Sequence, residues 1–398
     1  MTRTAIATFT LLAVISVAAD WPGFRGDGTG ASAEKNLPAG FSESSGLRWK
    51  ASLPGRGVSG VVTHGERVYV TASSGPRDDR LHVLCFDAAT GAKLWQRQLA
   101  ATGSTAAHPD TCMAAPTPVA DATGVYALFA SGDVAAFDAD GTLRWYRSLV
   151  GDYPTVTNQV GMASSPLLAD GKLIVPMDNV GESFLAALDL ATGRNVWKTA
   201  RAKEMNWATP AVRTLPDGGS EILYPGRDLA AYDAATGAKK WSAKLPGGIA
   251  SPTVAGDLLL TPGGGLNASK LGAAGVTELW KSPRLQTGMS SPVAYEGKVY
   301  GVTSAGLLLC LDAATGKVQW DFRVKGKFSA SPVAADGKLY LFNEEGKLLA
   351  IKFGAEPELL AESATGERGQ ATPAVSGGAI YLRGDKSLFC VGAKSPAQ

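Results

Sequence analysis

The sequence predicts an all-β fold, an eight-bladed β-propeller of four-stranded antiparallel blades whose ring is closed by an N-terminal strand. Two repeated phrases and the composition predict it. The first phrase is clearest as Ser331-Pro332-Val333-Ala334-Ala335-Asp336-Gly337-Lys338-Leu339-Tyr340-Leu341, and its versions start near Ser59, Thr117, Ser165, Thr209, Ser251, Ser291, Ser331 and Thr372. The second is clearest as Leu311-Asp312-Ala313-Ala314-Thr315-Gly316-Lys317-Val318-Gln319-Trp320, with versions ending at Trp95, Trp145, Trp197, Trp241, Trp280 and Trp320. Starts spaced roughly 40–50 residues apart match the period of a four-stranded propeller blade. The 48 glycines and a charged fraction of only 19% suit short strands and tight turns better than a helical bundle. Repetition also lets 398 residues form one body instead of two or three domains.

Each part of the repeat has a physical reading. Ser-Pro followed by small apolar residues is a short first strand whose proline sits at the opening, where a missing N–H is tolerated. Asp170-Gly171 and Asp336-Gly337 are two-residue hairpin turns that need positive φ. The run after the turn, such as Lys338 to Leu341, alternates as a second strand. A third strand carries a small residue, Cys85, Cys310 and Cys390 in some copies and Ala136, Ala187 and Ala231 in others. In Asp-Ala-Ala-Thr-Gly the Asp bonds its own backbone two residues on and the Gly takes the left-handed position. The closing Trp stands on the outermost strand. A blade cannot bury both faces alone, so this Trp is expected at the seam with the next blade, its indole N–H bonded to a carbonyl of the neighbour's turn.

The ends predict how the ring closes. After Thr372 the chain holds enough for three strands only, whereas Gly46-Leu47-Arg48-Trp49 carries a closing Trp before any first strand. The N-terminal strand is therefore expected to complete the last blade and remove its free edge. In blade seven Leu359-Leu360 stand where Trp would fall and Lys352 replaces the Asp, so its seam is expected to be the weakest. The organisation read from the chain is a signal peptide at 1–19, an N-terminal segment at 20–44, the propeller at 45–394 and a tail at 395–398. Arg3, the apolar run Ala5 to Val17 and the small residues Val17-Ala18-Ala19 carry the secretory reading, and the run is too short to span a bilayer. A periplasmic or secreted protein is expected.

Charge and cysteines narrow the classes of partner. A net charge of +2 gives no global field for nucleic acid or an anionic membrane. Three of the four cysteines share one place in the repeat and Cys112 lies in the stretch His108-Pro109-Asp110-Thr111-Cys112, so no disulfide framework is expected. The three histidines share no metal-ligand spacing. No nucleophile elbow, phosphate-cradling loop or Cys-x-x-Cys is present. The longer loops, 72–80, 100–112, 150–161 and 177–184, cluster in blades one to four. They place Asp178, Asn179, Glu182, Arg201, Asn206 and Trp207, together with Arg56, His108, Asp110 and Arg368, on one face around the channel. Trp207 lies outside the seam series, and two readings stay open for it: a core filler, or a platform for a sugar, a quinone or a peptide aromatic.

The phrase Leu-Asp-Ala-Ala-Thr-Gly-Lys-x-x-Trp resembles the quinoprotein (pyrroloquinoline quinone, PQQ) repeat, over nearly the whole chain from about residue 45. Trp21-Pro22-Gly23-Phe24-Arg25-Gly26 and Asn206-Trp207-Ala208-Thr209-Pro210 look like features of exported, functionally unassigned PQQ-like proteins of bacteria. The resemblance implies one of two branches. Non-enzymatic propellers such as the outer-membrane assembly scaffold BamB form one. The other comprises PQQ- and calcium-dependent alcohol or sugar dehydrogenases, which hold the quinone between a stacking Trp and adjacent cysteines, with an Asp base beside Ca²⁺ bound by Glu and Asn. No Cys-Cys pair exists here, although Trp207 would take the stacking place and Asp178, Asn179 and Glu182 the calcium shell. The expectation is thus an exported, monomeric, non-enzymatic binding or scaffold propeller without cofactor or metal. It would take a protein or small ligand on its loop-rich face. A PQQ/calcium-dependent oxidoreductase is the alternative.

Overall fold

The computed structural model describes residues 20–393 except 43, 158, 159 and 246. The expected signal peptide, 1–19, and the tail, 395–398, lie outside the described residues. Among the described residues the chain forms eight four-stranded antiparallel sheets and one short helix, Leu149–Asp152. Blade 1 runs from its inner strand Val62–His64 through Arg67–Ser74 and Arg80–Asp87 to the outer strand Lys93–Ala100. Six further blades repeat this order. Blade 8 contributes Ala374–Ser376, Ala379–Arg383 and Ser387–Val391, and takes Leu47–Ser52 as its outer strand, paired antiparallel to Ser387–Val391. The lone Trp49 therefore marks the closing strand.

Local chemistry repeats with the blade. The turns Asp170-Gly171 and Asp336-Gly337 have positive φ at both residues, the requirement of a two-residue hairpin. Asp87 Oδ1 accepts from the backbone of Ala89 and Thr90 and from the Thr90 hydroxyl. Those bonds, the Thr90 hydroxyl's first, hold its carboxyl below the usual range. In blades 1, 2, 6 and 8 a tyrosine, a small residue and the tryptophan stand in one row, as in Tyr69, Cys85 and Trp95 or Tyr300, Cys310 and Trp320; in blades 3 to 5 Ile174, Leu223 and Leu260 take the tyrosine's place. The small residue leaves room for the indole; all four cysteines are buried and free. A β-bulge beside this row recurs in the outer strands, for instance between Cys85 and Phe86. It turns the residue before the tryptophan outward, which leaves Leu94, Val196 and Leu279 roughly half exposed. Repeat reading alone did not foresee these bulges.

The seams follow the expected chemistry. The indole N–H groups of Trp49, Trp95, Trp145, Trp197, Trp280 and Trp320 donate to carbonyls of the next blade's turn at 2.9–3.2 Å. The turn glycine lies flat on the same ring. A Cβ at Gly91, Gly141, Gly193, Gly237 or Gly316 would stand 2.5–2.7 Å from the indole it covers, and each has φ between 68° and 86°. Gly193→Ala is therefore expected to lower stability by about 2–4 kcal/mol, from backbone strain plus overpacking. Gly297→Ala, at φ 72° but in open space, should cost only about 1–2 kcal/mol. Urea midpoints of the two variants check this; equal losses would mean that the indole contact contributes nothing. Trp241 departs from the series and donates to Glu221 Oε1 of its own blade at 3.1 Å, because blade 5 carries Gly272-Ala273-Ala274-Gly275 in place of the Asp-Ala-Ala-Thr-Gly turn.

Blade seven corrects the sequence reading. Its register places Ala361, not Leu359 or Leu360, opposite the small third-strand residue Ala350, and both leucines face solvent. The hollow that a tryptophan would occupy is filled from the N-terminal segment. Phe41 N–H donates to Ser363 Oγ at 2.8 Å, Tyr340 Oη donates to the Pro38 carbonyl at 3.0 Å, and Leu37 N–H donates to Asp336 Oδ2 at 3.0 Å. Gly40 lies so close over Ala361 that a Cβ there would stand 3.0 Å from its methyl group. The physical reason is topological. Blade 8 takes its outer strand from the N-terminus, so it has no turn between third and outer strands to receive an indole.

Candidate functional site

The ring surrounds a central funnel. Its upper end opens on the face where chain enters each inner strand, and its cavity is about 520 Å³. The wall is set by the Ser/Thr that begins each inner strand. Gly60 N–H donates to Thr117 Oγ1, Thr117 N–H to Ser165 Oγ, Ser165 N–H to Thr209 Oγ1 and Thr209 N–H to Ser251 Oγ, at 2.8–3.0 Å. Ser251, Ser291 and Ser331 continue the series to Thr372 Oγ1 at 2.9–3.0 Å. Seven blade junctions are thus joined by one hydroxyl each, which explains why the repeat begins with Ser or Thr. Gly60 supplies no hydroxyl to the eighth.

The lower end is closed by the N-terminal segment. Trp21 pairs with Thr63 of blade 1 and Ala31 with Ala334 of blade 7, while Glu34 accepts from Gly377 and Gly378 of blade 8. Between these anchors the strap crosses the axis, and Trp21, Phe24 and Arg25 form the funnel floor. Arg25 is fully buried. It donates to the carbonyls of Gly28, Thr29 and Pro292 and to Thr253 Oγ1, linking the strap to blades 5 and 6. Its partners are neutral, so burial works against its charge and Asp27 offsets only part of that.

The mouth is two-sided. Met205, Ile249 and Met289, each 44–49% exposed, stand with Trp207 on the loops into blades 4 to 6. The opposite side is polar. Asp110 pairs with Arg368 at 2.9 Å and Arg368 reaches Glu344 at 3.3 Å, while Arg56 donates to the Pro109 and Thr111 carbonyls and to Gln370. The loop carrying His108 and Asp110 thereby arches from blade 1 to the linker before blade 8. Arg368 holds the Asp110 carboxyl below its usual range.

The sequence-predicted residues divide into two groups. Trp207 lines the funnel, its indole donating to the Gly161 carbonyl at 3.1 Å, and His108 and Asp110 join it there. Asp178, Arg201 and Asn206 lie behind the wall in a closed network. Arg201 grips both Asp178 oxygens at 2.8–3.1 Å, donates to Tyr232 Oη at 2.7 Å and stacks 3.8 Å from the Tyr224 ring centroid. Asn206 Nδ2 bonds Asp178 and the Pro225 carbonyl. Burial pushes the Asp178 carboxyl upward and the Arg201 contacts pull it back; the geometry is that of an ion pair within blade 3 that reaches blade 4 through the Arg201 bonds to Tyr232 and the Pro225 carbonyl. Asn179 spends its amide on the 177–183 loop, and Glu182 turns outward to Lys198 and Thr155.

Those residues do not fit a calcium shell. Calcium takes six to eight oxygens with carboxylates among them, and here both carboxylates are held by cations and point to different places. Among the described residues no group of three or more His, Cys, Asp or Glu is gathered to hold a metal ion. Sequence reasoning missed Met205, Ile249 and Met289, which no repeat pattern marks, and the floor residues Phe24 and Arg25. Their signal was the Trp-Pro-Gly-Phe-Arg-Gly run itself, a dense apolar cluster outside any blade.

Comparisons with known proteins agree with this architecture. A family model described as outer membrane protein assembly factor BamB matches residues 23–203, 181–270 and 267–387. Polyvinylalcohol dehydrogenase of Sphingopyxis sp. (strain 113P3) is 27% identical over 242 residues, which is 50% of this chain and 35% of that protein. Outer membrane protein assembly factor BamB of Bordetella pertussis is 27% identical over 167 residues, 38% of this chain and 42% of that one. The chain thus spans well under half the length of these curated relatives. Among solved structures, BamB from Moraxella catarrhalis superposes with a TM-score of 0.62 at 17% identity, covering 88% of this chain and 98% of that one. Quinohemoprotein alcohol dehydrogenase from Comamonas testosteroni gives 0.70 at 15% identity, covering 96% and 82%. At such identities these two likenesses speak for the fold alone. With its repeats, its ring of eight blades and a family match across most of its length, the chain belongs to the BamB-type family of PQQ-like repeat propellers.

Proposed function

We propose that this chain is an exported, non-enzymatic binding propeller that recognises a segment of another protein through its upper face, as an assembly factor would. The observation that carries the reading is the apolar half-collar of Met205, Trp207, Ile249 and Met289 above a funnel with a closed floor. Flexible methionines beside a partly buried tryptophan suit an apolar anchor on a partner, with the polar rim of Asp110, Arg368 and Gln370 fixing its orientation. Among the described residues no helix is long and apolar enough to cross a membrane. A photo-crosslinking side chain at Ile249 or Met289 is expected to join the chain to a discrete protein in the exporting cell, and one at Leu279 on the outer edge is not. Equal labelling from both places, or none from the rim, would sink the reading.

A second reading is favoured by the polyvinylalcohol dehydrogenase and quinohemoprotein likenesses. In it the funnel takes PQQ against Trp207, with calcium beside it. PQQ supplies redox chemistry when bound; this chain's own part would be to stack the ring and exclude water. Because Asp178 and Glu182 are committed to Arg201 and Lys198, adding PQQ and Ca²⁺ to the purified chain is expected to leave its Tm and an artificial electron acceptor unchanged. A raised Tm with alcohol-dependent dye reduction would favour the oxidoreductase instead.

A further inference from the structure

The strap shows how the inner edges of this propeller take a second chain. At one equivalent position of three blades it pairs main chain to main chain. Thr63 N–H of blade 1 donates to the Trp21 carbonyl, Ala120 N–H of blade 2 to the Pro22 carbonyl, and Ala334 N–H of blade 7 to the Gly30 carbonyl, each at 2.9 Å. Ala334 also returns its carbonyl to Ser32 N–H at 2.9 Å. The same position is Leu168 in blade 3, Val212 in blade 4 and Val254 in blade 5. The registers Thr63 with Val68, Leu168 with Leu173, Val212 with Ile222 and Val254 with Leu259 aim the same backbone groups at the channel edge. The strap leaves this sector uncovered: Thr63, Ala120 and Ala334 are buried, whereas Leu168, Val212 and Val254 are half-buried. They line a groove of about 540 Å³ between the inner strands and strap residues Pro22 to Thr29.

We infer that this lower groove binds an extended, uncharged and apolar peptide segment of another protein, by strand addition to the inner edges of blades 3 to 5. Three consecutive edges carry backbone donors and acceptors in the register that the strap already uses, so the groove continues an interface present in the molecule. Its side chains set the chemistry of the occupant. Phe24, Val119, Leu167, Leu168, Val212 and Val254 are apolar, the Arg213 charge is met by Glu221 at 3.6 Å and Asp257 at 3.8 Å, and the one further charged group of the lining, the Asp27 carboxylate, accepts from the Thr29 N–H and hydroxyl. The strap's own main chain pairs with the inner edges of blades 1, 2 and 7 and reaches blade 5 only through the Arg25 side chain, which leaves the occupant to come from elsewhere. This site lies on the face opposite the loop-rich mouth and stands independently of the upper-face reading.

The test uses the full mature chain and a fluorescein-labelled, end-blocked heptapeptide of alternating valine and threonine. Saturable binding by fluorescence anisotropy is expected, with hydrogen exchange at the Leu168, Val212 and Val254 amides slowed about tenfold in the complex. Leu168→Pro and Val212→Pro each remove an edge N–H that the blade's own ladder does not use. Each is expected to weaken binding at least about tenfold, a loss of about 1.4 kcal/mol, whereas Trp207→Ala in the upper funnel should leave it unchanged. The exchange measurement needs no variant, so a proline that disturbs folding does not remove the test. Absence of saturable binding, or binding that leaves those three amides unprotected, overturns the inference. Concentration-dependent self-association that Val212→Pro abolishes would make a second copy the occupant and overturn it equally.

Discussion

Trp95→Ala is expected to cost about 3–5 kcal/mol of stability, among the largest effects of any single substitution in the ring. The indole is buried, with its centroid 6.0 Å from Tyr69 and 5.9 Å from Phe137. It covers Gly141 and donates to the Ala139 carbonyl at 2.9 Å. Truncation would open a cavity at the junction of blades 1 and 2, leave that carbonyl to Arg67 alone and leave Arg97 without the ring it lies over. Trp95→Phe should recover the packing but not the hydrogen bond, and so about half the loss. Trp320 is more exposed and its bond to Gly354 is longer, 3.2 Å, so Trp320→Ala should cost about half as much as Trp95→Ala. Unfolding midpoints in urea, followed by two probes because repeat rings need not unfold in one step, would decide. A loss under about 1 kcal/mol for Trp95→Ala would show that the sheets, and not the indole clasps, hold neighbouring blades together.

The second large effect concerns the one seam without a tryptophan. Removal of residues 20–41 takes away Leu37 and Phe41, which pack at the blade 7–8 junction, and the Trp21 and Arg25 anchors of the floor. A loss of about 4–6 kcal/mol is expected from the buried aromatic and aliphatic area alone. Ala361→Trp separates the roles. In the full chain the indole would meet Gly40 and overpack, a cost of about 1–3 kcal/mol; in the shortened chain the same indole would fill the vacated hollow and raise stability. A reversal of sign between the two backgrounds, read as Tm shifts, is the expected result. Destabilisation in both would mean that the hollow collapses without the strap.

The fold was legible because its signals are local and repeated. Ser-Pro, Asp-Gly, Asp-Ala-Ala-Thr-Gly and Trp recur at fixed offsets, and each does the same chemistry in its blade. What escaped were the non-local contacts. Leu359-Leu360 align with tryptophan by position in the phrase, yet the bulged register and a segment some three hundred residues away decide who fills that place. The candidate site suffered similarly. Trp207, His108 and Asp110 reach the funnel because chain entering an inner strand must pass the axis. Asp178 and Arg201, drawn from the same face, instead neutralise each other behind the wall, and charge pairing between the loops of one blade leaves no mark at any fixed spacing. Met205, Ile249 and Met289 are ordinary apolar residues until a ring sets them side by side.

Ring closure has a mechanical side. Each blade is joined covalently to the next, so the ladder between Leu47–Ser52 and Ser387–Val391 is where the circle is held shut by hydrogen bonds alone. Leu47 lies against Val391 and Ser52 against Ser387, so both free ends leave the ladder at the same end. Tension applied between residues 20 and 393 would peel this pairing one bond at a time instead of shearing all of it together. It could not begin there, however. The strap lies upstream of Leu47 and is pinned across five other blades as well as its own, so a pull on the N-terminus must first draw Arg25 out of the bore. The plug in the channel is thus also the latch on the zip, and the ring should resist traction far better with the strap seated than with it removed.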